Sequence, residues 1–311
     1  MPVETRPSFC VLHHYAFPMS ILEAQSSFSP LFLFDKFLSL RAKDRNIYFK
    51  HEHKVLVPTC LPFVFWKCFL FRVSLYYPGK NIKTSIINNL TNNRYVYLCI
   101  NEQYIPNRTA YKKFYRYHEI LVYGYDDKND IFKTIAYNQE KKYAPQDIPS
   151  ELLVKAYKTN HLYPFTYFTL KLKLQYNFDK LHLTRLKRVL HEYLYTKRKK
   201  RGYHAYAQLI RQIQDDYQTK KKFDIRSFRT IKDRATILSY LPKYFSGYDD
   251  QLIKIIENNV DLSNHLLLLT VRFYITREPD WISDILNGIK KYVQQEKEII
   301  YKTLMILKNL N

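Results

Sequence analysis

The chain reads as an α+β protein in which a part carrying an antiparallel sheet comes first and an all-α part follows. Three observations predict this. Strand-like alternation is confined to the first part, in RYVYLCI at residues 94–100, in the pair HEILVYGY and IFKTIAYN, and in FTYFTLKLKLQYNF at 165–178. From Asp179 onward the apolar period becomes helical: Leu183, Leu186, Leu190 and Tyr193 share one face, and Trp281, Ile285, Ile289, Tyr292, Ile299 and Leu304 trace a second stripe. The 311 residues, 46% hydrophobic and 16% aromatic, supply apolar surface for one large core or two modest ones. The change of period divides the chain into predicted domains at 1–178 and 179–311.

Each element has its own justification. VLHHYAFP, directly after Cys10, is aromatic and reads as extended, because Pro18 within two turns opposes a long helix opening at the cysteine. ILEAQSSFSPLFLFDKFLSL at 21–40 reads as a helix or helix pair broken at Pro30. IKTSIINNLTNN is helix-like and runs into the strand RYVYLCI. The polar connection NEQYIPNRTAYKKFYRY then leads to the hairpin. IPSELLVKAYK at 148–158 is a short helix that Ser150 is placed to cap. The strand at 165–178 alternates through Leu170, Leu172 and Leu174, which predicts one solvated face.

Several function classes lose support at this level. The longest apolar run, LPFVFWKCFLF at 61–71, is interrupted by Lys67 and is too short to span a bilayer, which takes about 20 residues. The segment MPVETRPSFCVLHHYAFPMS lacks a basic region followed by a clean apolar one, so no signal peptide is predicted. Cys10, Cys60, Cys68 and Cys99 contain no C-x-x-C pair, which points to free thiols in a reducing cytoplasm. His51, His53, Cys60 and Cys68 match no common zinc spacing, and neither metal nor cofactor is expected.

The formal charge of +22 raises a nucleic-acid reading, with 19 of the 50 basic residues between 171 and 234. An AT-rich genome that inflates Lys, Asn, Ile, Tyr and Phe together is the plainer account. No helix-turn-helix, finger or RNP-like motif accompanies the charge, so a nucleic-acid-binding accessory factor stands as the further alternative.

The most patterned stretch is RYHEILVYGYDDKNDIFKTIAYN, 116–138. A polymerase-like Y-x-D-D tip holding divalent ions is one reading of it. The order Tyr123-Gly124-Tyr125-Asp126-Asp127 puts glycine two before the first Asp, so the register is off by one. GYDD also recurs at 247–250, and Asp, Asn and Gly between two strands are ordinary turn chemistry. Pairing the strands about Lys128 sets His118 opposite Asn138, where an imidazole and an amide could meet on one face. That arrangement suits a thiol-dependent site, in which a histidine serves a cysteine and an amide orients the ring; a half-exposed histidine beside a turn asparagine is the plainer alternative.

Residues 93–157, from NRYVYLCINEQYIP through YHEILVYGYDD to SELLVKAY, resemble a group of bacterial proteins from natural-product gene clusters. That group is related to the N-terminal domain of the butirosin-biosynthesis acyltransferase and, more distantly, to bacteriocin-processing cysteine peptidases. LHHYAFPMSIL, 12–22, is similar to the N-terminal signature of the same group, and together the matches cover roughly a quarter of the chain. The resemblance implies a papain-like fold for 1–178, with His118 as base and Asn138 as its orienting partner. It also implies a nucleophile near the start of the chain at a helix N-terminus, where Cys10 is the only candidate.

Two functions follow as expectations. In one, Cys10 attacks a carrier-bound thioester or amide, His118 moves the proton and Asn138 holds the ring, in the service of peptide or secondary-metabolite assembly. In the other, an inactive member binds an acyl or peptidyl carrier protein, or a synthetase, through the same cleft. Carrier proteins are acidic, and the basic helical part suits one.

Overall fold

The computed structural model describes residues 1–7, 13–25, 33–34, 38, 40–43, 46–49, 71–75, 81–160, 167–172, 183–198, 201–219, 221 and 224–310. The chain is mixed α+β and divides into two compact units, Met1–Phe28 with Lys54–Tyr176 and Ser29–His53 with Asn177–Asn311. The second unit departs from the predicted domain limits by including Ser29–His53. Hydrogen bonds hold that segment there: Arg234 Nη1 donates to the Leu38 carbonyl, Gly202 N to Leu40 O at 3.3 Å, and Ile47 N to Ser227 Oγ at 3.0 Å. Pro30 lies outside the described residues.

The first unit begins with helix α1 (His13–Glu23), which overturns the expectation of an extended segment. Pro18 sits inside it. Proline in a helix interior costs about 3 kcal/mol through a lost hydrogen bond and a clash with the preceding turn. Complete burial of Ala16, Phe17, Met19, Ile21 and Leu22 outweighs that cost, since a large apolar side chain contributes about 1.5–3 kcal/mol when fully buried.

The sheet has strand order β3-β8-β4-β5-β6-β7, with every neighbour antiparallel. Its strands are β3 (Phe71–Leu75), β4 (Tyr95–Asn101), β5 (Tyr117–Asp126), β6 (Ile131–Tyr137), β7 (Tyr143–Pro149) and β8 (Tyr167–Leu172). Helices α2 (Ile82–Thr91) and α3 (Ser150–Lys158) are its other α-helices among the described residues. Asn81 caps α2 by accepting from Thr84 N at 3.2 Å. Ser150 does not cap its own helix as expected; its hydroxyl donates to Asp130 Oδ2 at 2.7 Å, tying α3 to the β5–β6 turn.

Ladder pairing sorts side chains between the two faces, because partners opposite each other point the same way. Tyr97, Leu121, Ile135 and Phe168 are paired across four strands and face α1, where Phe17 stands edge-on to Tyr97 with centroids 5.3 Å apart. Leu98, Ile120 and Tyr167 take the other face, toward α2 and α3. There Asn89 Nδ2 donates to the Tyr167 hydroxyl at 3.0 Å and the Tyr157 ring lies 6.4 Å from that of Tyr167. With both faces covered, every residue of β4 is buried. β8 is interior too, and its first four residues are buried rather than alternating with a solvated face as expected.

Strand β7 is an edge. Asn138 N donates to Lys142 O at 2.9 Å, so the alternation that starts there turns the backbone at positions 145 and 149 outward. Both positions are proline, which leaves no N–H at those points for another chain to pair with.

The second unit opens with the hairpin β1 (Leu40–Lys43) and β2 (Asn46–Phe49). Helices α4 (Leu183–Tyr195), α5 (His204–Gln218), α6 (Arg226–Ser239), the short α7 (Leu241–Tyr244), α8 (Asp250–Thr276) and α9 (Asp280–Asn309) follow. The predicted stripes are core: Leu186, Leu190 and Tyr193 on α4, and Ile285, Ile289, Tyr292, Ile299 and Leu304 on α9, are buried. In the second GYDD, Asp249 caps α8 by accepting from Leu252 N at 2.6 Å. Gly202, in the α4–α5 connection, has φ +56°, and a Cβ there would stand 2.5 Å from the Tyr193 carbonyl oxygen, so only glycine fits. None of the described helices is long and apolar enough to cross a membrane.

At the centre of this unit Arg234 Nε lies 2.5 Å from Glu296 Oε1, both side chains fully buried. Tyr193 donates to Glu296 Oε2, and Tyr292 and Tyr206 donate to Oε1 at 3.1 and 3.3 Å. The guanidinium lies over the Tyr193 ring at 4.6 Å. Breaking such a pair strands a buried charge, so Glu296→Leu is expected to cost about 3–5 kcal/mol in urea denaturation. Adding Arg234→Met to Glu296→Leu recovers part of that loss; simply additive losses would show that the pair is not coupled.

Candidate functional site

Charged residues collect in the first unit where β4 ends and β5 begins. The ladder continues one step beyond the strands, with Glu102 N donating to Arg116 O at 2.7 Å. Asn101 Oδ1 accepts from Gln103 N at 3.1 Å and Arg116 N at 3.4 Å, pinning both ends of the 101–116 excursion. The excursion folds back on the sheet: Gln139 N donates to Asn107 O at 2.8 Å, and Gln146 Nε2 to Pro106 O at 2.6 Å.

That folding buries charge. Glu102 and Arg108 are each 3% exposed. Arg108 Nη1 donates to the Tyr137 carbonyl, while its Nε has no hydrogen-bond partner among the described residues. Burial lowers the Arg108 guanidinium to about 10, with Glu102 working against the shift. Glu102 Oε2 approaches Arg116 Nε at 3.5 Å. Burial raises the Glu102 carboxyl, and the charges of Arg108 and Arg116 partly offset that rise.

His118 stands beside this group. Its Nδ1 accepts from Glu119 N at 3.0 Å, which leaves the proton of the neutral ring on Nε2. Burial, followed by the positive charges of Arg116 and Arg108, lowers the imidazole to about 4. The 3.4 Å approach of Nδ1 to Glu119 Oε2 is therefore no ion pair at neutral pH. A ring held so far below 7 is a weak general base.

The hairpin register agrees with the sequence at its inner pairs, since Leu121↔Ile135 and Val122↔Thr134 are both centred on Lys128. A bulge between Val122 and Gly124 shifts the pairs nearer the turn by one. Parity sets position 138 on the face of His118, yet the two side chains are not joined. Asn138 Oδ1 accepts from Glu140 N and Lys142 N, each at 3.0 Å, and so closes its own β6–β7 turn.

Pairing Ile100↔His118 assigns the imidazole to the face covered by α2 and α3, while α1 lies on the other face with Glu119. Cys10 lies outside the described residues, as do Cys60, Cys68, His51 and His53, and the side chains of His13 and His14 do too. Cys99 is a buried cysteine of β4.

The carboxylates of the hairpin tip do turn work. Asp126 Oδ1 and Oδ2 accept from Asn129 N and Nδ2 at 3.3 and 2.8 Å, and Asp130 accepts from Tyr125, Ser150 and Lys83. Among the described residues there is no group of three His, Cys, Asp or Glu side chains suited to a metal ion.

Beside Arg108 a concavity of about 260 Å³ is lined by Asn107, Asn138, Gln139, Glu140, Ala144, Pro145 and Gln146. Amides dominate that lining, which favours a ligand rich in amide or hydroxyl groups over an apolar one. Sequence reasoning missed Glu102, Arg108, Arg116 and Glu119, because a polar connection gives no sign of being folded inward; Ile105 and Ala110, both fully buried, were the available hint.

The His118 shift has a signed consequence. The unfolded ring binds its proton near 6.5 and the folded one near 4, so the unfolded state gains protons first as pH falls through that window. The penalty is absent above 6.5 and complete below 4, amounting to about 3 kcal/mol. The difference in unfolding free energy between His118→Asn and the parent chain is expected to move in favour of the variant from pH 7 to pH 4. A difference independent of pH would show that the ring is not held neutral.

No protein-family model matches the chain, and no curated protein matches it.

Proposed function

We propose that this protein serves peptide or secondary-metabolite assembly in a reducing cytoplasm, as a papain-like member that binds an acyl or peptidyl carrier protein without covalent chemistry. The observation that carries this reading is the separation of imidazole and helix across the sheet, with His118 on the α2–α3 face and α1 on the opposite one. Cys10 lies outside the described residues, and His118 shares its face of the sheet with α2 and α3 rather than with α1. Asn138 works in the same direction, because its amide oxygen serves its own turn.

The amide-lined concavity beside Arg108 suits the pantetheine arm of a carrier protein, which presents two amides and a hydroxyl. Asn107 and Gln139 offer side chains with no hydrogen bond among the described residues, and are free to meet it.

A second reading, covalent transfer through Cys10, draws support from one feature: α1 opens at His13, three residues after the cysteine in sequence.

Alkylation separates the two. With iodoacetamide followed across pH 5–9 and peptide mapping of Cys10, the binding reading expects an apparent pKa near 8.5 and no change on His118→Ala. Rapid labelling of Cys10 at pH 6 that His118→Ala abolishes would establish the covalent reading instead. Titration with a phosphopantetheinylated carrier protein supplies the positive arm: Asn107→Ala combined with Gln139→Ala is expected to weaken binding about tenfold, and a chain that ignores the carrier altogether removes the proposal.

A further inference from the structure

The basic excess of the chain is not spread evenly over its helices. Residues 180–234 hold 17 Lys and Arg against 5 Asp and Glu, whereas residues 235–311 hold 9 of each. A genome-wide drift toward lysine would raise both stretches, so composition alone does not account for the first.

Within that stretch the acidic residues settle some of the charge. Arg201 Nη1 pairs with Glu192 at 3.4 Å and Arg226 with Asp224, and Lys187 donates to Leu310 O at the end of α9 at 3.2 Å. Arg188, Lys197 and Arg198 are exposed and have no carboxylate partner among the described residues. On α4, positions 188, 191 and 195 follow helical spacing along the face opposite Leu186, Leu190 and Tyr193. The rings of His191 and Tyr195, both exposed, lie against each other at a tilt of 43° with centroids 4.6 Å apart, and Tyr195 keeps 54% of its surface in water.

Paired rings left in water beside cations without a carboxylate partner among the described residues are the ingredients of a single-strand platform. We propose that the outer face of α4 and residues 197–198 just after it bind single-stranded nucleic acid, with phosphates on Arg188, Lys197 and Arg198 and a base against the His191–Tyr195 pair. A duplex keeps its base faces stacked inside and has nothing for the rings. An acidic protein would use the cations and leave the rings idle. This surface stands independently of the carrier-binding reading.

Fluorescence anisotropy with a labelled 20-nucleotide oligo(dT) and the full chain tests it. Binding is expected in the micromolar range at 50 mM KCl, with log affinity falling against log salt at a slope of about −2 for three neutralised phosphates. Arg188→Glu with Lys197→Glu and Arg198→Glu should weaken binding at least tenfold and flatten that slope. His191→Ala with Tyr195→Ala should weaken it about fivefold or more and leave the slope unchanged. Should charge reversal unfold the chain, the milder Arg188→Gln with Lys197→Gln reads the same change of slope. An abasic strand of equal length that binds as well as oligo(dT), ring variants that bind like the parent, or no binding at 50 mM KCl would each overturn the proposal, the first two in favour of a partner recognised by charge alone.

Discussion

Strand β5 is held in register from both sides, and that constraint governs the chemistry of the first unit. Six residues pair with β4, and the pairs with β6 agree with them about which side chain points where. Ile120 and Leu121, neighbours in sequence, are both fully buried because each faces a different helical layer. The same alternation starts His118 and Glu119 on opposite faces, although their side chains meet at 3.4 Å near the end of the strand, and a slip of one residue would turn Ile120 and Leu121 out of their layers. The bulge after Val122 absorbs the extra residue, so the turn and the His118 end keep different registers without conflict.

Buried charge is handled differently in the two units. Glu296 receives Arg234 and three tyrosine hydroxyls, so both carboxylate oxygens are engaged, and burial together with the Glu296 charge raises all three phenols well above their usual range. Only Arg234 Nη2 in this cluster lacks a hydrogen bond among the described residues, and the group at the heart of a helical core is architecture. Glu102 and Arg108 are also buried, with Glu102 Oε2 and Arg108 Nε lacking hydrogen bonds among the described residues, and Arg116, whose Nε lies 3.5 Å from Glu102, keeps 43% of its side chain exposed. Unlike the Glu296 cluster, this group reaches solvent through the Arg116 side chain, and its charge is open to an external partner only there.

Much of this fold was legible in the residues. Helical stripes on α4 and α9, the strand at Tyr95–Asn101, the hairpin and the helix at Ser150–Lys158 follow from apolar period and turn chemistry. The failures share a cause, which is tertiary burial overriding a local preference. Pro18 argues against a helix only while the value of burying Phe17 and Leu22 is unknown. Ser150 has the chemistry of a cap, but Asp130 offers its hydroxyl a carboxylate instead. Ser29–His53 has no composition that sets it apart, and its place among the helices depends on carbonyls that accept from Arg234 and Gly202, far along the chain.

The site shows the limit more sharply. Symmetry about Lys128 puts His118 and Asn138 on one face, and the inner pairs of the hairpin keep that symmetry. Parity within a hairpin says which side chains share a face; it says nothing about which helix lies over it. That second fact comes from contacts between distant segments, Phe17 with Tyr97 on one side and Asn89 with Tyr167 on the other. An imidazole and an amide can each occupy the sequence position that a resemblance assigns to them and still serve different neighbours, because covering a sheet is a choice between two faces that the paired strands do not make. The covering helices make it, and for that reason the layer above His118, more than the motif around it, determines what this ring can do.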